Sequence, residues 1–274
     1  MATKTDIAWT DSTFNPWVGC TKVGPGCDGC YAEVQDKRKL LGGVTHWGAG
    51  VPRHRTCASY WKQPAKWNKE AASTGKRHLV FCASLADVFD NEVPAQWRTD
   101  LFDLIRSTPA LTWQIVTKRI GNAMAMLPPD WGAGYPNVWL ISTIVDQTEA
   151  NRDLPKLLAI PAKVHGASYE PALGPVDWTP WFALGLKWVI VGGESAQRGH
   201  ATRPFDLAWA RSTISQCHKA GAFPFVKQVG SVHSLDTTLR DPAGSDPSEW
   251  PDDIRVREYP LARIACAGGQ HAVQ

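Results

Sequence analysis

No stretch of this 274-residue chain is long and apolar enough to span a bilayer. The opening Met-Ala-Thr-Lys-Thr-Asp lacks the apolar segment of a signal peptide, so a cytoplasmic protein with no membrane partner is expected. There is no Ser-His-Asp or metalloprotease signature, which leaves hydrolase chemistry without support. No glycine-rich phosphate fingerprint follows the first strand, which argues against a doubly wound dinucleotide fold. Cysteine is sparse and odd in number, with 7 in all, against a secreted disulfide framework. Acid is nearly absent from one stretch: between Lys37 and Arg77 ten Lys or Arg stand against Glu70 alone.

Three of the cysteines fall within eleven residues, as Cys20, Cys27 and Cys30. Gly24, Pro25 and Gly26 separate the first two, so the chain turns and the thiols converge. Three thiolates on a loop suit a cubane iron–sulfur cluster with one iron left open. They also suit zinc, given a fourth ligand, for which His46, His54 and Cys57 are the nearest candidates. Only Cys27 and Cys30 form the close pair usual in zinc sites, and no second cysteine cluster exists for an auxiliary centre. Cys57, Cys82, Cys217 and Cys266 are scattered; Cys82, within Leu79–Ala83, reads as a buried small hydrophobe.

A strand at 13–18 leads into the cysteine loop, and a helix is expected from Tyr31 through Leu41, stopped by Gly42 and Gly43. From Val44 to Gly75 periodicity is poor, as in an insertion or long loop. Beyond it, strands at 78–83, 111–116, 138–144, 162–168, 188–191 and 224–227 alternate with helices near 94–107, 120–127, 147–159 and 205–220. Such alternation implies parallel pairing, and about six units favour a barrel, here of the partial (βα)6 TIM type. The expected division is a barrel over 1–230, including a basic and aromatic insertion at 42–77, and an irregular cap or tail over 231–274. Barrel function sits where strands end, and polar residues recur there: Ser84 and Asp87, Thr117 with Lys118 and Arg119, Ser142 and Thr143, Ser168 and Glu170, Glu194 and Ser195, Lys227 and Gln228. The basic stretch interleaves cations with Trp47, Tyr60, Trp61 and Trp67, which suits either a nucleic-acid surface or an insertion whose aromatics pack onto the main fold.

The run from Asp6 to Cys20, with Cys27-Asp-Gly-Cys-Tyr-Ala-Glu33, resembles a phage and bacterial three-cysteine family long left as a domain of unknown function. The similarity continues through Val116–Arg119, Ile160–Val164, Tyr169–Pro175, Val189–Ser195 and Pro224–Gln228, and so covers roughly residues 5 to 230. Members of that family are similar to radical S-adenosylmethionine (SAM) enzymes, spore photoproduct lyase among the nearer relatives. The resemblance implies an α/β radical SAM barrel with a 4Fe–4S cluster on Cys20, Cys27 and Cys30, SAM chelating the fourth iron, and a 5′-deoxyadenosyl radical that abstracts hydrogen from a base. It departs from the commonest spacing: here the loop is C-x6-C-x2-C, and Tyr31 follows the last cysteine. Within this frame Ser84 and Asp87 are candidates for the methionine amino group and Lys118 for its carboxylate. Thr143, Glu170, Gly192, Gly193 and Glu194 are candidates for the rest of the cofactor. Arg53, Arg55, Trp61, Lys62, Arg119 and Lys227 are expected to meet substrate or DNA. A thymine-derived base in phage DNA is the implied substrate and a flavodoxin or ferredoxin the implied electron donor. The alternatives are a zinc-bound nucleic-acid module and a radical enzyme on free nucleosides.

Overall fold

In the computed structural model, residues 5–38, 43–235 and 238–260 are described. The expected end of the first helix at 39–42 and Cys266 lie outside them. Seven parallel strands form one sheet: β1 (Ser12–Thr13), β4 (His78–Cys82), β5 (Leu111–Thr117), β6 (Val138–Thr143), β7 (Val164–Tyr169), β8 (Leu186–Gly192) and β9 (Phe223–Gln228), paired in that order. β2 (Trp17–Val18) and β3 (His54–Arg55) make a separate antiparallel pair. The helices are α1 (Tyr31–Asp36), α2 (Gln63–Thr74), α3 (Ala95–Ser107), α4 (Ile120–Met126), α5 (Gln147–Leu158), α6 (Thr179–Ala183) and α7 (Leu207–Ala220). The sheet curls into a partial barrel of the TIM type, as expected, with β1 adding a seventh strand to the six read from the later units.

The strands are near-continuous apolar runs because both of their faces are covered. Alternate side chains point inward: Leu79 and Phe81 of β4, Trp139 and Ile141 of β6, Trp188 and Ile190 of β8, and Phe225 of β9 form one buried cluster with Trp9. The rings of Trp139 and Trp188 meet edge-on at 5.4 Å and Trp9 meets Trp188 at 6.1 Å, so the lower half of the barrel is plugged by indoles. The opposite strand faces pack on the helices in a second, larger cluster. Depth therefore remains only above the plug, at the carboxyl ends of the strands. Local signals place the helices over the sheet: Asp146 accepts from the Glu149 N–H at 2.8 Å to start α5, and Asp206 caps α7 through the Ala208 N–H.

Two features depart from the sequence reading. The aperiodic stretch at 44–75 contains α2, which buries Pro64, Trp67 and Ala71 on one side and leaves Lys66 and Lys69 outward. The described part of the tail is irregular but attached. Val226 donates to the Val256 carbonyl and Glu258 to that of Pro224, and Tyr259 stacks on Trp188 at 5.8 Å. It covers the otherwise unpaired edge of β9.

Candidate active site

Above the indole plug lies a cavity of 680 Å³, a volume suited to a cofactor-sized ligand. All three clustered cysteines line it, and so do residues from the end of every barrel strand. Five aromatic rings, those of Trp9, Tyr31, Trp47, Tyr60 and Phe81, share the lining. β2 and the turn after it carry Cys20 to the mouth, a short 3-10 turn at Pro25–Cys27 bends the loop back, and Cys30 caps α1. Cys27 is buried, and Cys20 and Cys30 are partly so. Burial first, and the Asp87 carboxylate second, push the Cys20 thiol up to about 12, while Arg119 pulls the other way. Forming the Cys20 thiolate is therefore unfavourable here unless further positive charge is bound beside it.

The cysteines bring three thiols to one cavity, a donor set that a cubane cluster and a zinc site can both use. Among the described residues no three His, Cys, Asp or Glu side chains gather around one ion-sized point. A cubane takes one thiolate per iron and so spreads its ligands more widely than one tetrahedral zinc does. The candidate fourth zinc ligands are also engaged or displaced. His46 is buried, with Nδ1 3.0 Å from Asp36 Oδ1, while His54 and Cys57 are exposed.

The strand-end candidates divide by what they touch. Ser84 exchanges hydrogen bonds with the Asn15 amide, and its carbonyl accepts from the Tyr31 hydroxyl at 2.9 Å. Asp87 is buried at the cavity wall; its Oδ1 accepts from Thr117 Oγ1 at 2.7 Å and its Oδ2 from the Lys118 N–H at 2.9 Å, tying the end of β4 to that of β5. Three cations line the cavity. Lys22 pairs with Glu33 at 3.2 Å and Lys227 with Glu170 at 2.8 Å. The Lys118 ammonium makes no ion pair among the described residues. Thr143 is buried at the wall.

Glu194 is spent on the protein itself. It accepts from Arg203 at 2.6 Å and lies 3.0 Å from His200, and Arg203 reaches on to the Pro25 carbonyl at 2.9 Å and to Asp28 at 3.3 Å. Burial works against ionisation of its carboxyl, yet the hydrogen bonds from Arg203 and His200 hold it below the usual range. The end of β8 thereby pins the turn between Cys27 and Cys30. Gly29 fits this contact only because it has no Cβ, which would stand 2.5 Å from Glu194 Oε1.

The other expected ligand residues differ in what they meet. Gly193 lines the cavity and Gly192 does not; a Cβ added to Gly193 would stand 2.5 Å from the Val229 carbonyl oxygen, so the site admits only glycine there. Arg53 cannot reach DNA: its side chain has no exposure, and it pairs with Asp90 at 2.8 Å and with Glu92 at 3.1 Å. Arg55 pairs with Asp100 at 2.6 Å and lies over Trp61 at 4.4 Å, while Trp61 meets Phe14 edge-on at 5.6 Å. Both side chains are half-buried in this packing, and neither lines the cavity. Lys62 is exposed but outside the cavity. Arg119 is absent from the cavity wall and turns to the cysteine loop, donating to the Thr21 carbonyl at 2.8 Å. The sequence reading missed Arg203 and His200, which sit in an aperiodic loop. It also missed the inward aromatics Trp9 and Phe81, which a strict alternation along β4 would have flagged for Phe81.

Among solved structures, a cysteine-to-serine mutant of spore photoproduct lyase is similar at 12% identity and a TM-score of 0.47, over 70% of this chain and 58% of that one. A cysteine-to-alanine mutant with dinucleoside spore photoproduct gives 13% and 0.47 over 70% and 58%. A double mutant with bound AdoMet and dinucleoside spore photoproduct gives 11% and 0.44 over 68% and 56%. The chain thus spans less than two thirds of the length of these structures. No curated protein matches the sequence. Residues 4–253 match the family described as protein of unknown function, DUF5131, and the chain belongs to that family.

Proposed function

We propose that this chain is a radical SAM enzyme that modifies a nucleic-acid base, with a thymine-derived base in phage DNA as the substrate class. The observation that carries the reading is the convergence of Cys20, Cys27 and Cys30 on one deep cavity whose wall combines strand-end polar groups with five aromatic rings. Cys20, Cys27 and Cys30 would hold a 4Fe–4S cluster, and with SAM bound that pair supplies a 5′-deoxyadenosyl radical for hydrogen abstraction, after one electron from a flavodoxin- or ferredoxin-type donor.

The remaining roles fall to the chain's own side chains. Asp87 and Ser84, at the end of β4, offer acceptor oxygens to the methionine ammonium. Lys118, the cavity cation without a carboxylate partner among the described residues, suits the methionine carboxylate. Thr143 and Glu170 offer hydrogen bonds to ribose or base, and the Lys227–Glu170 pair presents both a donor and an acceptor to a base edge. Tyr31, Trp47 and Tyr60 offer ring faces to a planar base and help exclude water. A base inside a duplex has to leave the stack to enter such a cavity. The outward Lys62, Lys66 and Lys69 are the candidates for its backbone.

The burial of Arg53 and the pairing of Arg55 with Asp100 favour a second reading, in which the substrate is a free nucleoside. Anaerobic incubation of reconstituted enzyme with SAM and reductant separates the two. Formation of 5′-deoxyadenosine that depends on DNA is expected. Dependence on nucleosides alone selects the second reading, and turnover only on a peptide or small metabolite contradicts both.

A further inference from the structure

Behind Cys20 runs a buried chain of charges that none of the roles above uses. Arg53 donates through Nη1 to the carbonyls of His46, Gly48 and Val51 at 3.2, 3.0 and 2.8 Å, and through Nη2 to Thr21 Oγ1 at 2.7 Å. Its Nε holds Asp90 Oδ2 at 2.8 Å. The other Asp90 oxygen lies 3.7 Å from Arg119 Nη2. That nitrogen donates to the Thr21 carbonyl at 2.8 Å and to Cys20 Sγ at 3.7 Å. Arg119 Nε is buried without a hydrogen-bond partner, and the side chain is only 8% exposed.

A guanidinium is always charged, and away from water its field is weakly screened. Asp90 offsets it only in part, because that carboxylate is already bonded to Arg53. Asp87 acts against it from the cavity side. An N–H aimed at a ligand sulfur stabilises added negative charge on whatever that sulfur binds.

We propose that Arg119 is a positioning and potential-tuning residue: it holds Cys20 in place and favours the one-electron-reduced state of the cluster, with Asp90 and Arg53 fixing its guanidinium. The proposal rests on the iron–sulfur reading above. Reduction adds one electron, from a low-potential protein or chemical donor, and breaks no bond.

The test compares wild type with Arg119→Lys and Arg119→Gln, reconstituted anaerobically and free of SAM and substrate. Iron, sulfide and thermal unfolding are measured first, then a redox titration followed by electron paramagnetic resonance. Arg119→Lys is expected to keep the cluster near the wild-type potential. Arg119→Gln is expected to lower the reduced-to-oxidised ratio at fixed potential about tenfold, about 59 mV more negative for one electron. Loss of iron from Arg119→Gln alone also supports the role. An unchanged potential in a folded, iron-loaded Arg119→Gln overturns it, as does equal loss of iron from both variants. A wild-type chain that assembles no cluster overturns the iron–sulfur reading itself, before either variant is considered.

Discussion

At the Cys20 end, the cysteine loop is fastened by a buried line of charges, Arg53–Asp90–Arg119; at the Cys27–Cys30 end it is fastened by Arg203 on Glu194. The first set is almost wholly out of water, with Arg53, Asp90 and Arg119 exposed by 0%, 3% and 8%. The second is buried only at its Glu194 end, since the Arg203 side chain remains 25% exposed and its other partner Asp28 more so. Burial makes the first anchor costly to break, because each ion depends on the others for its missing hydration. Water and salt soften the second, so its loss loosens the loop without unfolding the barrel. A rigid end beside a releasable one suits a loop that, under the proposed function, would accept a cluster after the barrel has folded.

The largest expected effect belongs to the cysteines both anchors serve. Replacing Cys20, Cys27 or Cys30 singly by Ala should abolish cluster retention and 5′-deoxyadenosine formation, read as iron per chain and by chromatography. Next is Arg53→Met, which strands Asp90 in the interior. A loss of about 3–5 kcal/mol is expected in urea unfolding. The salt dependence of DNA binding should not change with it, and a shallower slope in a folded variant would restore Arg53 as a DNA contact. Gly29→Ala tests the other end by forcing a methyl group against Glu194, with about 1–3 kcal/mol of strain expected. Glu194→Gln weakens the same anchor more gently. About tenfold faster iron release to a chelator is expected, with the melting curve little changed. The smallest effect concerns the exposed lysines just before α2 and along it. Lys62→Ala should reduce the salt slope of DNA binding by about 1 if those lysines meet phosphates. An unchanged slope removes Lys62 from the interface.

Much of this molecule is legible in the sequence, for identifiable reasons. The barrel strands announce themselves as short apolar runs because both faces are buried, and their ends fall within a few residues of those read from the pattern. The cysteine loop is legible because its glycines and its spacing are local. The anchors are not local. Asp90 lies 37 residues beyond Arg53, and Arg203 reaches back 178 residues to Pro25, so composition alone makes Arg53 look like a surface cation. Helix α2 escaped notice because its buried set is only Pro64, Trp67 and Ala71, too sparse for a clear stripe among lysines. Gly193 reaches the cavity wall as its glycine-rich turn suggests, but its second constraint, the backbone at Val229 packed against it, is invisible in the sequence. Arg53 and Arg203 answer to partners brought in by the fold rather than by their neighbours in sequence.

Metal and acid-labile sulfide analysis of anaerobically purified wild-type protein tests the central claim most directly. About four irons and four sulfides per chain, with a brown colour lost in each of the three cysteine variants, is the expected result. A colourless protein holding one zinc per chain, or an iron content indifferent to Cys20, Cys27 and Cys30, would contradict it.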